Sequence, residues 1–396
     1  MNAMTTRLDR LDAYQQHFTS TILETRERKG VLEVRLTASA FYPTAGGQAC
    51  DTGWIDGANV AAVSEDDDGN LWHAVDRHLE IGEEVMGQID WARRLDHMQQ
   101  HTGEHILGQA FYRFKHHVVA VSMEHAVCTL DLAGGVSWEL AMRAELIANE
   151  TIWAAHPIST YELPDTQLET VPLRRAPKVS GLVRVVQIGT GFRDAFDYSA
   201  CGGTHLKSSA EVGLLKIFKL ERVRGHDTRV FFNCGSRVLS DYRFKHDFIS
   251  GLGLHFSTAL EAVPARTNAM LEELERSKRE VAGLRGRLAQ EIAKGLTSPL
   301  IVLQLEDASL LPELAKIMIS RAGSIALLGA IDNGKAMLTV ACGTGATVKA
   351  GDLLKIGLPL IDGRGGGKPE LAQGSGSRVE GLAAALEAMR AAVISS

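Results

Sequence analysis

Apolar positions divide the chain into stretches of different period. From about residue 15 to 90 they come in short runs. GVLEVRLTAS puts Leu32, Val34 and Leu36 on one side and Val31, Glu33 and Arg35 on the other. FYPTAGGQACDTGWIDG, ANVAAVSEDDDGNLWHAV and EEVMGQIDW follow. Short period-two runs broken by Gly and Asp predict a small β-barrel over residues 1–92, with EDDDGN as a solvated hairpin tip. Near residue 93 the period changes: RRLDHMQQHTGEHILGQAFYRF has helical spacing and no proline. VCTLDL, LVRVVQI and VGLLKIFKLERVR then read as strands, SWELAMRAELIANETIWAAH as a helix, which makes 93–235 a mixed α/β core.

GSRVLSDYRFKHDFI again reads as helix, and a longer one starts near Pro264 and runs to about Lys294, roughly 45 Å. Along it Leu260, Val263, Thr267, Met270, Leu274, Ser277, Val281, Leu284 and Leu288 recur at spacings of three and four, a coiled-coil seam. The expectation over 236–295 is a helical hairpin or a self-associating coiled coil. Residues 296–396 form a last α/β unit: LIVLQL, SIALLGAI and AMLTVAC as strands, LPELAKIMISRA, VKAGDLLKIGLPLI and RVEGLAAALEAMRAAV as helices, and DGRGGGKPELAQGSG as a glycine-rich loop. The predicted fold class is therefore α+β and multidomain.

Composition narrows the function classes. The 396 residues carry a net charge of -6, so any contact with a polyanion must use local basic patches. Five scattered cysteines imply no disulfide framework, and no apolar run of membrane-spanning length occurs. A soluble, cytoplasmic protein without membrane partners is expected.

Two local patterns carry chemistry. HTGEH puts His101 and His105 four apart on one helical face. CGGTH puts Cys201 and His205 at the ends of a turn whose two glycines permit φ > 0 and a tight fold. Together they offer three imidazoles and a thiolate, a set typical of zinc. HTGEH also fits the HxxEH pattern of inverted zinc peptidases, in which Glu104 is the general base and a carboxylate completes the ligands. GRGGGK is no phosphate-binding Walker loop, because Asp362 and Pro369 stand where Gly and Ser or Thr are needed; ATP-dependent catalysis is not expected.

Four motifs in order resemble the editing half of alanyl-tRNA synthetase and the freestanding AlaX-type editing proteins. They are FYPTAGGQACDTG, HTGEHIL, DYSACGGTH with SAEVGLLKI, and GRGGGKPELAQGSG. The resemblance implies an editing core after the barrel, and a C-terminal domain of the synthetase's C-terminal type at 296–396. It implies trans-hydrolysis of mischarged tRNA(Ala), chiefly seryl-tRNA(Ala), with Zn2+ on His101, His105, Cys201 and His205. Glu104 becomes a candidate base, Ser122 a hydroxyl sensing the substrate side chain, and Asp197 a residue orienting a ligand histidine. Gly46, Gly47, Gln48 and Thr204 would meet the substrate, and Arg364 and Lys368 would meet tRNA phosphates. PLRRAPK and KIFKLERVRG could add basic contacts, and His125 reads as structural or solvated. Pairing of two copies through the coiled coil or the C-terminal domain is a further expectation. The residues alone leave two rivals open: a peptidase-like zinc hydrolase, and a non-catalytic tRNA-binding protein with structural zinc.

Overall fold

The computed structural model describes residues 4–123, 126–176, 181–191, 193–223 and 225–395. Two compact units divide the chain, residues 1–250 and 251–396. His125, Lys178 and Arg224 lie outside the described residues.

The first unit opens with a closed six-stranded barrel, in the order His17–Arg28, Val31–Leu36, Leu71–Val75, Ala58–Glu65, Gly53–Ile55 and Glu84–Ile89. All pairings are antiparallel, with Val34 opposite His73. Alternation decides what faces inward: Val34, Leu36, Ile55, Val60 and Val63 are buried with Phe41. Each such side chain contributes about 1.5–3 kcal/mol when removed from water. The EDDDGN segment is a turn, closed by Asp66, whose carboxylate accepts the amides of Asp68 and Asn70.

Within that core His73 is buried, with the Ser39 hydroxyl donating to Nε2 at 2.8 Å and Nδ1–H donating to the Val34 carbonyl at 3.1 Å. Burial pushes its pKa down to about 4, against a weaker upward pull from the Val34 carbonyl.

After the barrel, the helix Trp91–Tyr112 starts at Asp90, whose side chain accepts the Arg93 amide. It packs with the helix Trp138–Trp153 against a four-stranded antiparallel sheet, in the order Leu215–Arg222, Thr228–Cys234, Cys128–Leu132 and Val118–Ser122. A three-stranded sheet of Ile158–Pro164, Leu182–Ile188 and Asp197–Ala200 carries the chain into CGGTH. Four of these strands have no strong apolar alternation in sequence and were not expected: Val118–Ser122, Ile158–Pro164, Asp197–Ala200 and Thr228–Cys234. The helix Gly235–Phe256 runs across the division between the units.

In the second unit the helix Val263–Gly295 is 33 residues, about 50 Å, with Pro264 in its first turn. Its seam residues Met270, Leu274, Val281, Leu284 and Leu288 are exposed, while Ala289 and Ala293 are buried against Leu310, Leu311 and Leu314. A five-stranded sheet follows, in the order Leu300–Leu305, Ile325–Asp332, Lys335–Cys342, Leu371–Gly376 and Gly363–Gly367, its first pair parallel and the rest antiparallel. Helices Ala350–Gly357 and Leu382–Ile394 cover one face, and Leu311–Ile319 the other.

The segment expected as a glycine-rich loop is instead a β-hairpin. Glycine is usually depleted in strands, but at Gly365 and Gly367 the neighbouring backbone comes too close for a Cβ. A Cβ on Gly365 would stand 2.4 Å from the Gln373 carbonyl oxygen.

Candidate metal centre

The helix Trp91–Tyr112 is fastened to the barrel before it presents any chemistry. Arg94, fully buried, forks onto the Asp51 carboxylate and donates to the Ala13 and Ala40 carbonyls. About two and three turns later His101 and His105 stand on the same buried side, their ring centroids 5.2 Å apart.

The partner segment arrives from the strand Asp197–Ala200. Arg184 Nη1 donates to the carbonyls of Cys201 at 3.1 Å and Gly203 at 2.8 Å, holding the turn. The glycines serve a different end from the one expected. Neither Gly202 nor Gly203 has positive φ. Gly203 is needed for space, since a Cβ there would lie 2.1 Å from His101 Cε1; at Gly202 nothing stands within 4 Å.

One ligand atom from each of His101, His105, Cys201 and His205 lies within 4.8 Å of the others. Cys201 Sγ is 3.3 Å from His101 Nε2 and 3.4 Å from His205 Nε2. The outer nitrogens are tied back. His101 Nδ1–H donates to Gln48 Oε1 at 2.7 Å, and His205 Nδ1 meets the Thr102 hydroxyl at 3.2 Å. His105 Nδ1 faces Asp197 Oδ2 at 3.5 Å. Such outer partners fix the tautomer that offers Nε2 to an ion.

Charge is arranged to match. Burial raises the Cys201 thiol, but the charge of His101 and hydrogen bonds from His101 and His105 outweigh it and hold the group well below 9.0. Burial opposes protonation of His105, yet Asp197, Cys201 and Glu104 together raise it to about 10. Burial and the nearby His101 push His205 down to about 3. Asp197 is lowered, because Arg174 and His105 outweigh its burial. A thiolate among imidazoles is a donor set for a borderline-soft cation. Among the described residues His105 Nδ1 and Asp197 Oδ1 are buried without hydrogen-bond partners, so the pair has unused capacity to steady a ligated ring. The residues fit one metal ion.

Around this cluster, Glu104 is buried, with Oε2 3.7 Å from His105 Nε2. Gly46 and Gly47 have positive φ, and a Cβ on Gly47 would sit 3.1 Å from the Val121 carbonyl oxygen. The Met123 amide donates to the Gly47 carbonyl, which puts Ser122, half-buried, beside the glycine turn. Gln48 and Thr204 are buried and bonded to each other, Nε2 donating to Oγ1 at 2.9 Å. Asp197 also accepts the Ser199 hydroxyl. Arg364 and Lys368 are exposed on the hairpin of the second unit; Lys368 joins Lys349 and Lys355 around a cavity of about 240 Å3.

Sequence reasoning missed the supporting residues. Thr102, Arg184 and Arg174, which donates to the His105 carbonyl at 2.9 Å, act through packing that no local pattern announces.

Comparison with known proteins adds an independent line. The family described as threonyl and alanyl tRNA synthetase second additional domain matches residues 183–230, and the DHHA1 domain family matches 297–395. The alanyl-tRNA editing protein AlaX-L of Pyrococcus horikoshii is 27% identical over 382 residues, 92% of this chain and 92% of that protein. The chain is similar, almost end to end, to an AlaX-type alanyl-tRNA editing protein. Alanine–tRNA ligases of Methanothrix thermoacetophila and Lactococcus lactis subsp. cremoris are 30% and 29% identical over 97% and 92% of this chain. The chain spans 44% of the length of each of these ligases. The crystal structure of the C-Ala domain from Aquifex aeolicus alanyl-tRNA synthetase matches with 19% identity and a TM-score of 0.22, covering 24% of this chain and 89% of that one. Among the described residues no helix is long and apolar enough to cross a membrane.

Proposed function

We propose that this protein is a trans-editing hydrolase that removes the wrong amino acid, chiefly serine, from tRNA(Ala). The observation that carries the reading is the convergence of His101, His105, Cys201 and His205 within 4.8 Å, in a chain similar to AlaX-L along 92% of both lengths. Zn2+ is the ion the donor set suits, and when bound it supplies Lewis-acid polarisation and a more acidic water.

The remaining work falls to side chains. Glu104, beside His105, takes the proton of the attacking water. The turn at Gly46 and Gly47 lets substrate approach the backbone closely, and Ser122 meets the hydroxyl of a seryl group. Alanine in that place leaves the Ser122 hydroxyl unpaired, which is how a polar pocket rejects the smaller substrate. Gln48 and Thr204 act through His101 by fixing its ring. Arg364 and Lys368 meet phosphates of the tRNA, and the exposed seam of the long helix supports pairing of two copies.

The deciding experiment is deacylation of seryl-tRNA(Ala) and alanyl-tRNA(Ala) by wild type and His101→Ala. The expected result is faster release of serine by wild type and at least a hundred-fold loss in the variant. Equal rates on both substrates would end the serine assignment. Peptide cleavage without tRNA deacylation would favour a peptidase, and zinc binding without turnover a structural ion.

A further inference from the structure

A cavity of about 550 Å3 opens beside the first half of the histidine helix, on residues to which the proposed chemistry gives no role. Arg93 and His97 form one wall. The first turns of the 22-residue helix Gly235–Phe256 form another, with Ser236, Arg237 and Ser240.

These groups are not equivalent. Arg93 donates Nε to the Cys50 carbonyl at 2.9 Å, and no carboxylate among the described residues pairs with its charge. His97 is 6% exposed, and its Nδ1 is buried without a hydrogen-bond partner among the described residues. Burial, with the Arg93 charge beside it, pushes His97 down to about 4, so the ring is neutral and one nitrogen carries hydrogen. Arg237 forks onto Asp96 at 2.6, 2.9 and 3.1 Å, so Asp96 enters as half of a neutral pair. What remains is one uncompensated guanidinium, a buried imidazole in need of a partner, and the hydroxyls of Ser236 and Ser240; the Gly235 and Ser236 amides are taken by the Leu214 carbonyl and Gln99 Oε1. A guanidinium with neutral donors around it is a set that holds a phosphate.

The cavity and the metal centre are braced by some of the same segments. The loop after Phe41 touches His101 through Gln48 and holds Arg93 through the Cys50 carbonyl. The segment after Ser122 touches Gly47 at Met123 and lines the cavity at Ala126. His97 stands one turn, about 6 Å along the axis, before His101.

We infer that this cavity is a subsite for a phosphodiester of the RNA strand whose 3′ end brings the ester to the cluster. The inference rests on the deacylase reading for the identity of that strand. A phosphate held by Arg93 and His97 fixes the strand within a nucleotide's reach of the four ligands, and so aligns the ester before any contact with the amino acid.

The test is binding of an uncharged, single-stranded RNA ending in CCA to the full-length protein across a salt series, for wild type, Arg93→Gln, Arg93→Lys and Ser236→Asp. Arg93→Gln should weaken binding about ten-fold and lower the slope of log K against log salt by about 0.7, the loss of one phosphate contact on a single strand. Arg93→Lys should keep the slope. Ser236→Asp, exposed and therefore tolerant of folding, should weaken binding by repulsion. Wild-type affinity and slope in Arg93→Gln and Ser236→Asp would overturn the subsite. Occupancy of wild type by inorganic phosphate, with RNA binding indifferent to Arg93, would assign the cavity to a free anion and overturn it equally. Turnover of seryl-tRNA(Ala) is scored apart. A protein that hydrolyses nothing, yet binds RNA with an Arg93-dependent slope, loses the deacylase reading and keeps the subsite.

Discussion

At Gly203 a missing side chain makes room for an imidazole. With a Cβ only 2.1 Å from His101 Cε1, Gly203→Ala must push the ring or the turn out of place, whereas Gly202 faces open space. Zinc affinity, measured by competition with a coloured chelator, should fall at least ten-fold in Gly203→Ala and stay within about three-fold in Gly202→Ala. Gln48→Ala frees the His101 ring and should cost about 10- to 100-fold in metal affinity, as loss of an outer partner generally does. The four clustered residues could be read from sequence because each pair is local: one helical turn, and one short glycine turn. The reason for the glycines could not, since it is the approach of a ring a hundred positions away and not a backbone angle. Gln48 shows the same limit. Its position in a glycine-rich segment suggested substrate contact, and nothing local announced its bonds to His101 and Thr204.

Elements were legible where period and burial coincide. The barrel strands and the helices Trp91–Tyr112 and Trp138–Trp153 follow their apolar spacing, and Val263–Gly295 follows its own although the seam is exposed. Ile158–Pro164 alternates little and is mostly exposed, and Asp197–Ala200 is only four residues long, so neither announces itself. Inside the barrel, His73 makes stability depend on pH. Its folded value of about 4 lies below the ordinary 6.5, so the unfolded chain takes the proton first and stability is lost as pH falls from 6.5 toward 4. The loss is on the order of 3 kcal/mol for this ring. Urea titrations at pH 7 and pH 4.5 should therefore show a smaller pH penalty in His73→Gln than in wild type. On the long helix, the exposed seam should disfavour a solitary helix. Leu274→Glu with Leu284→Glu should shift sedimentation from dimer to monomer without lowering metal affinity.

Across the whole molecule, the proposed ester chemistry and the proposed tRNA contacts of Arg364 and Lys368 fall on separate units. Charge reversal on the second should therefore touch binding alone. Arg364→Glu with Lys368→Glu is expected to raise KM for charged tRNA and reduce its salt dependence, with kcat within about three-fold of wild type. The metal centre has a consequence of its own for how the molecule comes into being. Its donors stand a hundred positions apart, on a helix and on a turn fed by a separate sheet. An ion gripped there is a staple across a long span of chain, so it closes only after barrel, helix and both small sheets have docked. Stripping the ion should then open the molecule from its middle, with amide exchange rising first at Asp197–His205 while the barrel stays protected.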